Sequence, residues 1–266
     1  MIPLPMDLPI KIISTDFDGT LHADHESPPV PVRLQELIGH LQERGAKWVI
    51  NTGRDLSSLM EGLGRARLSI QPDWVVVVER EIHFRQGPRF IPLQPWNGDC
   101  ERAHRELFRA VERDLPRLFK WVNGKFHASV YSDAYSPFCL IAGNNADADD
   151  IEAHLRDYCE SVPNLTVVRN DVYARFSHTA YSKGTALAEI TRQLGLTREC
   201  VFAAGDHYND LPMLRDEHAW WLVAPANAIP VVKEAVWREG GYVSDRLCGH
   251  GVADGLEAAM KEVGLL

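Results

Sequence analysis

The sequence predicts an α/β protein with a doubly wound, mainly parallel core sheet into which a second, α+β domain is inserted. Short apolar runs alternate with segments whose apolar residues recur at helical spacing, which is the pattern of strand–helix–strand units. This alternation stops at about residue 80 and resumes at Lys183. At 266 residues, the chain is also longer than a typical domain of about 100–200 residues. We therefore expect a core from residues 1–80 and 183–266, with the inserted domain at 81–182.

The two core segments contain apolar runs that predict buried strands, and between them stretches with apolar residues three and four apart that predict helices. The expected strands are 10–15, 47–50, 75–78, 201–204 and 220–223. The expected helices are 33–44, 56–63, 183–194 and 251–263. Trp220 and Trp221 fall in an expected strand, so we expect both side chains in the core.

The inserted segment follows a different pattern. A hairpin is expected at 81–91 around Gly87-Pro88, and the long helix after it is expected to end near Pro116, because proline interrupts helices. Later elements are two strands around Asn123-Gly124, a strand at 138–142, a helix through Leu155 and strands between 166 and 176. Strands and helices mixed in this way predict an α+β domain.

Composition excludes several classes of protein. With 45% hydrophobic and 24% charged residues, the chain matches soluble globular proteins, and its net charge of −9 argues against a nucleic-acid partner. No apolar run is long enough to span a membrane, and residues 1–9 lack the basic start of a signal peptide. The five cysteines are scattered and never form a CxxC pair, which favours reduced thiols. We expect a cytoplasmic protein without nucleic-acid or membrane partners, as a monomer or weak homodimer.

Acidic and polar side chains follow three of the expected core strands. They are Asp16, Asp18 and Thr20 after the first strand, Thr52 and Arg54 after the second, and Asp206, Asn209 and Asp210 after the strand at 201–204. The carboxyl ends of parallel strands lie at one edge of a sheet, where ligands bind. Four carboxylates there cannot all remain ionised without a cation, and oxygen ligands favour Mg²⁺. The sequence therefore predicts a magnesium site.

These residue types suit phosphoryl transfer. A carboxylate beside Mg²⁺ can attack phosphorus and form an aspartyl-phosphate, and a second carboxyl can protonate the leaving oxygen and then deprotonate water. A hydroxyl and a lysine ammonium can hold the phosphoryl oxygens as charge redistributes. Gly19 allows a tight turn whose N–H groups face the phosphate.

The chain resembles the phosphatase branch of the haloacid dehalogenase superfamily at four motifs. These are Asp16-Phe17-Asp18-Gly19-Thr20, Thr52-Gly53-Arg54, Lys183 and Gly205-Asp206-His207-Tyr208-Asn209-Asp210. A long insertion between Thr52 and Lys183 resembles that of subfamily IIB, the Cof-type and sucrose-phosphate phosphatase-like group, which carries a C2-type cap. The resemblance implies a Rossmann-like core and an α+β cap that selects the substrate. It also implies Mg²⁺-dependent hydrolysis of a small phosphorylated metabolite, in the first place a sugar phosphate.

The resemblance also implies roles for the catalytic residues. Asp16 would be the nucleophile and a Mg²⁺ ligand, and Asp18 would be the acid/base that lends its backbone carbonyl to the metal. Thr52 and Lys183 would bind phosphoryl oxygens.

The remaining implied roles concern metal and substrate. Asp206 would bind Mg²⁺. Asp210 would support the metal site, either by orienting the residues that bind the metal or through its contact with Lys183. The implied substrate-binding residues are Gly53, Arg54 and Asn209. Related phosphatases often carry small residues after the third strand, whereas this chain has the charged pair Glu79-Arg80.

Alternatives remain open from the sequence. Thr52 could be a helix N-cap, Arg54 could contact a neighbouring carboxylate instead of substrate, and His22 and His207 are expected at the rim of the site. A phosphosugar mutase uses the same aspartyl-phosphate chemistry, and a catalytically silent ligand-binding protein can share the fold. A silent protein is expected to lack one of the four motif residues, and this chain retains Asp16, Asp18, Lys183 and Asp206.

Overall fold

A computed structural model describes residues 8–266 and divides the chain into two compact units. One unit, here called the core, contains the described residues up to Leu93 together with Lys183–Leu266, and the other, the cap, is Gln94–Ser182. Most of the segment in which we expected no signal peptide, residues 1–7, lies outside the described residues. The expected fold class, an α/β core with an inserted α+β domain, is confirmed.

The described elements alternate in the core and mix in the cap. The strands are β1 (Ile12–Thr15), β2 (Lys47–Asn51), β3 (Trp74–Val77), β4 (Glu81–Gln86), β5 (Arg89–Pro92), β6 (Ala128–Tyr131), β7 (Cys139–Ala142), β8 (Leu165–Asn170), β9 (Tyr173–His178), β10 (Val201–Ala204), β11 (Trp221–Ala224) and β12 (Tyr242–Val243). The helices are α1 (Val32–Glu43), α2 (Leu56–Ala66), α3 (Trp96–Val111), α4 (Leu115–Lys125), α5 (Asn145–Glu160), α6 (Lys183–Gln193), α7 (Pro230–Arg238) and α8 (Cys248–Glu262).

The core sheet has the strand order β12-β11-β10-β1-β2-β3-β4-β5, and its strands are parallel from β12 to β3. Strand β1 is central, and its last residue, Thr15, lies opposite Ala204 of β10 and Ile50 of β2. All four residues of β1 and of β10 are buried, as expected for a parallel sheet covered on both faces. The chain therefore leaves β1, β2 and β10 at the same edge.

The hairpin expected at 81–91 forms around Gly87, as β4 and β5, but it extends the core sheet. Strand β4 pairs antiparallel with β3, placing Ile82 opposite Val76. The expected boundary after residue 80 thus falls before the hairpin, whereas the observed division of the chain follows it.

The cap contains an antiparallel sheet in the order β6-β7-β9-β8, together with α3, α4 and α5. Of the two strands expected around Asn123-Gly124, the first is wrong, because both residues lie in α4, whereas β6 forms where the second was expected. Leu118 and Val122, one helical turn apart on α4, are buried in the apolar core of the cap, and this burial outweighs the turn preference of Asn-Gly. The helix expected to end near Pro116 ends at Val111, and Pro116 lies in the first turn of α4, where proline is tolerated.

The expectation that Trp220 lies in the core is wrong. Strand β11 begins one residue later, and the Trp220 side chain is 52% exposed, with the Arg198 guanidinium 5.4 Å from its ring centre. Cationic groups over an indole face are attracted to it, which suits an exposed position. The five cysteines all lie among the described residues, and none of them is in a disulfide. Among residues 8–266, no helix has the length and apolarity needed to cross a membrane.

Candidate active site

A buried lysine between two carboxylates lies at the centre of the site. Lys183, the first residue of α6, is fully buried, and its Nζ donates hydrogen bonds of 2.6 Å to Asp16 Oδ1 and Asp210 Oδ1. Asp16 directly follows β1. The Asn51 side chain, at the end of β2, donates to the Lys183 carbonyl at 3.0 Å and so ties α6 to the sheet edge. A buried charge is tolerated only when it is paired, and Lys183 meets this condition twice.

The electrostatics of this cluster favour bound cations. Burial lowers the pKa of Lys183, but the charges of Asp16 and Asp210 outweigh burial and raise it, so the ammonium remains protonated. Burial raises the pKa of Asp16 well above its usual value, against the attraction of Lys183, and Asp210 adds to the rise. Burial, followed by the charge of Asp210, also raises the pKa of Asp206 to about 7. A single ammonium therefore does not offset the crowding of these carboxylates.

Asp16, Asp206 and Asp210 form a group in which one carboxylate oxygen from each lies within 4.8 Å of the others. Both oxygens of Asp210 already have donors, because Oδ1 binds Lys183 and Oδ2 accepts from the N–H groups of Asp206 at 2.8 Å and His207 at 2.9 Å. Asp210 therefore holds the lysine and the turn after β10 in place. The Asp18 side chain is not in this group, and its predicted role through its backbone carbonyl remains a prediction.

The turn after β1 packs closely against Asp206. Gly19 has a φ of +77°, and a Cβ atom there would lie 2.6 Å from Asp206 Oδ2, so both conformation and space require glycine. The Thr20 hydroxyl donates to Asp206 Oδ1 at 2.7 Å.

Asn227 is a site residue that sequence reasoning missed. Its Nδ2 donates to the Gly19 carbonyl at 2.8 Å and to Asp206 Oδ2 at 3.2 Å, while its Oδ1 accepts from the N–H of Cys248, the first residue of α8. Asn227 closely follows β11, a further parallel strand ending at the same edge. The expectation that site residues follow the carboxyl ends of the parallel strands, applied to β11 as well, would have identified Asn227.

We expect Asn227→Ala to lower the free energy of unfolding by about 1–3 kcal/mol, because it leaves the partly buried Gly19 carbonyl and the first N–H of α8 without their partners. It also removes a donor that orients Asp206. Urea unfolding measures the first effect, with Asn123→Ala on the exposed side of α4 as control. Equal stability of the two variants would show that Asn227 does not fasten these elements together.

Arg54 holds Asp18 in a two-pronged ion pair. Its Nε donates to Asp18 Oδ2 and its Nη2 to Asp18 Oδ1, both at 2.6 Å, and the guanidinium lies 5.2 Å from the centre of the Phe17 ring. Of the two expectations for Arg54, the structure shows the contact with a neighbouring carboxylate. Because the planar guanidinium binds both carboxylate oxygens at once, Arg54 fixes the orientation of the Asp18 side chain.

Thr52 is buried at the end of β2, and its Oγ1 accepts from the Arg54 N–H at 3.2 Å. The alternative that Thr52 caps α2 is wrong, because Asp55 is the N-cap and accepts from the Ser58 N–H at 2.8 Å. The Thr52 hydroxyl therefore keeps its own proton to donate to a ligand oxygen.

Gly53, Asn209 and Glu79 lie together beside Thr52. Asn209 Nδ2 donates to Glu79 Oε1 at 3.2 Å, and a Cβ atom on Gly53 would lie 3.1 Å from the same oxygen. The Glu79 N–H donates to the Thr52 carbonyl at 2.9 Å. Glu79 is thus brought to a segment that the sequence predicts to bind substrate.

The two histidines near the motifs do not join the carboxylate group. The His22 ring stacks on Phe17 at 4.8 Å, and burial lowers its pKa. His207 precedes the short helical turn at 208–210, and its ring contacts Tyr208 edge-on at 5.1 Å.

A family model described as haloacid dehalogenase-like hydrolase matches residues 122–256, which is half of the chain. The matched range contains Lys183, Asp206 and Asp210. The chain belongs to the haloacid dehalogenase-like hydrolase family. It is an enzyme of the phosphatase type within that family, of the Cof-type group with an inserted cap, since relatives that align over about nine-tenths of the chain are phosphatases and its structural neighbours share its architecture.

Individual relatives of this haloacid dehalogenase-like hydrolase align over nearly its whole length. It is 26% identical to a 5-amino-6-(5-phospho-D-ribitylamino)uracil phosphatase of Bacillus subtilis, over 93% of this chain and 94% of the relative. It is 28% identical to a phosphoglycolate phosphatase of Methanoculleus marisnigri, over 88% and 92%. The structure of the sucrose-phosphatase of Synechocystis superimposes with a TM-score of 0.67 at 17% identity, over 96% and 98% of the two chains. That likeness concerns the fold.

Proposed function

We propose that this enzyme is a Mg²⁺-dependent hydrolase of small phosphate monoesters, sugar or polyol phosphates in the first place, acting through an aspartyl-phosphate on Asp16. The observation that carries the proposal is the placement of Asp16, which is hydrogen-bonded to the buried Lys183 and lies beside Asp206 and Asp210. The named substrates of its relatives, a ribitylaminouracil phosphate and phosphoglycolate, are small phosphate monoesters.

The donor set fits a magnesium ion, because it consists of carboxylate oxygens and carries more negative charge than Lys183 offsets. Asp16 and Asp206 would hold the ion together with the Asp18 carbonyl, while Asp210 would keep these groups in position. When bound, Mg²⁺ would neutralise phosphate charge and orient the phosphoryl group.

The reaction then follows from the roles of the side chains. An Asp16 carboxylate oxygen attacks phosphorus, and as this bond forms the bond from phosphorus to the alcohol oxygen breaks. Arg54 holds Asp18 as a carboxylate, so Asp18 takes up a proton from solvent as it leaves this ion pair. It donates that proton to the leaving oxygen and then removes one from the water that attacks the aspartyl-phosphate. Thr52 and Lys183 donate hydrogen bonds to the phosphoryl oxygens, and inorganic phosphate leaves as Asp16 is regenerated.

The cap would select the substrate. It contains an aromatic group in which Trp96 and His178 each meet Tyr181 edge-on, with ring centres 5.1 Å and 5.5 Å apart. Trp121 instead stacks on His154 at 3.8 Å and packs against the apolar core of the cap. Of these two cap tryptophans, Trp96 is therefore the stronger candidate for lining a sugar pocket.

With Mg²⁺, we expect the enzyme to release phosphate from a panel of phosphorylated metabolites. With EDTA in place of Mg²⁺, we expect it to release none. Ca²⁺ should not restore turnover, since it takes about 6–8 ligands at longer distances and would hold the attacking carboxylate in the wrong place. Mg²⁺ should also raise the midpoint of thermal unfolding, because an ion at about 100 times its Kd stabilises the folded state by about 2.7 kcal/mol. Full activity in chelator, or no phosphate released from any ester, would contradict the proposal.

A further inference from the structure

Glu79 carries a buried carboxylate oxygen that has no partner. The residue is 6% exposed, and its Oε1 accepts a hydrogen bond from Asn209, whereas its Oε2 is buried without any hydrogen bond. Asn209 is 5% exposed, and its Oδ1 is likewise buried and unpartnered. Burying acceptors without donors is costly, so such groups in a folded protein call for a reason. Both unpartnered atoms here are acceptors.

The backbone at Glu79 does not favour the residue that stands there. Val78 and Glu79 have φ values of +44° and +67°, a region that favours glycine. Two hydrogen bonds hold this conformation, from the Val78 N–H to the Arg54 carbonyl at 2.8 Å and from the Glu79 N–H to the Thr52 carbonyl. The segment between these two carbonyls contains Gly53. Glu79 therefore combines a strained backbone with an unsatisfied carboxylate, and it lies beside the segment around Gly53 that is predicted to bind substrate. Strain of this kind is typical of functional positions.

We propose that Glu79, positioned by Asn209, binds a hydroxyl group on the alcohol part of the substrate and excludes phosphate esters whose alcohol part carries a carboxylate. This inference rests on the proposed function. The unpartnered oxygens of the two residues are acceptors, so the substrate group that satisfies them must be a hydrogen-bond donor. A second carboxylate would be repelled by Glu79 where little water screens the charge, and a hydroxyl loses less hydration on burial than an ammonium group. The substrate class is thus a neutral polyol or sugar phosphate.

A matched series of two-carbon esters tests this directly: 2-hydroxyethyl phosphate, ethyl phosphate, phosphoethanolamine and phosphoglycolate. For the wild-type enzyme with Mg²⁺, kcat/KM should be highest for the hydroxyl ester. It should exceed that for ethyl phosphate by about tenfold or more, the usual effect of a hydrogen bond to a charged group. The carboxylate ester should be the poorest substrate of the series.

Two variants locate the effect at Glu79. In Glu79→Gln, which keeps the size of the side chain, the preference for 2-hydroxyethyl phosphate over phosphoglycolate should fall by about tenfold. Glu79→Gly should lose the same preference, and glycine suits the φ of +67° at this position, so the variant should fold. The control is Arg67→Gly, another residue with positive φ, +51°, but exposed at the end of α2, which should keep the wild-type preference.

Each other outcome overturns a different statement. A wild-type enzyme that prefers phosphoglycolate, or Glu79 variants that keep the wild-type ratios, would overturn the role of Glu79. If the wild-type enzyme prefers phosphoethanolamine, the statement that Glu79 binds a hydroxyl group is wrong, and the substrate group bound there is an ammonium group. If the wild-type enzyme with Mg²⁺ hydrolyses none of the four esters nor any ester of the metabolite panel, the proposed function itself fails, and this inference fails with it.

Discussion

Asp16→Asn should lower turnover by at least about 10⁴-fold, because an amide of nearly the same shape is a poor nucleophile and a weak metal ligand. The variant should remain folded. Its side chain still offers an oxygen to Lys183, and it removes one negative charge from a place where burial and Asp210 already disfavour the charged form.

Phosphate release and urea unfolding should be measured on the same preparation. Asp24→Asn is the matched control, since Asp24 lies in the segment after β1 but its side chain is 88% exposed. It should keep wild-type turnover. Activity of Asp16→Asn above about 1% of wild type would rule out Asp16 as the nucleophile, because a lost nucleophile costs far more than that.

Lys183→Met should lower the free energy of unfolding by about 3–5 kcal/mol, more than Asn227→Ala, in addition to abolishing activity. The methionine leaves two buried carboxylates, Asp16 and Asp210, without their shared cation. The repulsion between these two carboxylates and their lost hydration then both destabilise the folded state.

The control for this change is Lys47→Met. Lys47 also pairs with an aspartate, Asp73, at 3.2 Å, but the lysine side chain is 34% exposed, so the pair is screened and worth about 0–1 kcal/mol. If urea unfolding shows both variants equally destabilised, the buried pair does not support the core as argued. Adding Asp210→Asn to Lys183→Met should recover part of the loss, since it removes one unpaired charge.

The sequence alone was sufficient to place much of the site. Asp16, Thr52 and Asp206 each follow a parallel strand of the core sheet, and adjacent parallel strands end at the same edge, so their proximity follows from chain order. Lys183 was found through its resemblance to a motif, and its burial between two carboxylates is known only from the structure. The ion pair of Arg54 with Asp18 was only one of two alternatives, because it depends on the orientation of side chains.

Other features depend on tertiary packing that local patterns do not encode. The hairpin β4–β5 has the same sequence signature whether it joins the core sheet or the cap. Residues Asn123-Gly124 form helix α4 because the neighbouring apolar residues find a core to pack against. Glu79 was visible as an unusual charge, but its positive φ and its unpartnered oxygen could not be deduced from the sequence.

Direct detection of the phosphoryl group on Asp16 tests the central claim. The Asp18→Asn variant should still form the intermediate from an aryl phosphate, whose good leaving group needs little protonation, but should hydrolyse it slowly. After rapid acid quench, peptide mass spectrometry should find one phosphoryl group, on the peptide that carries Asp16. A phosphoryl group on another residue, or none while the wild-type enzyme releases phosphate, would contradict the account.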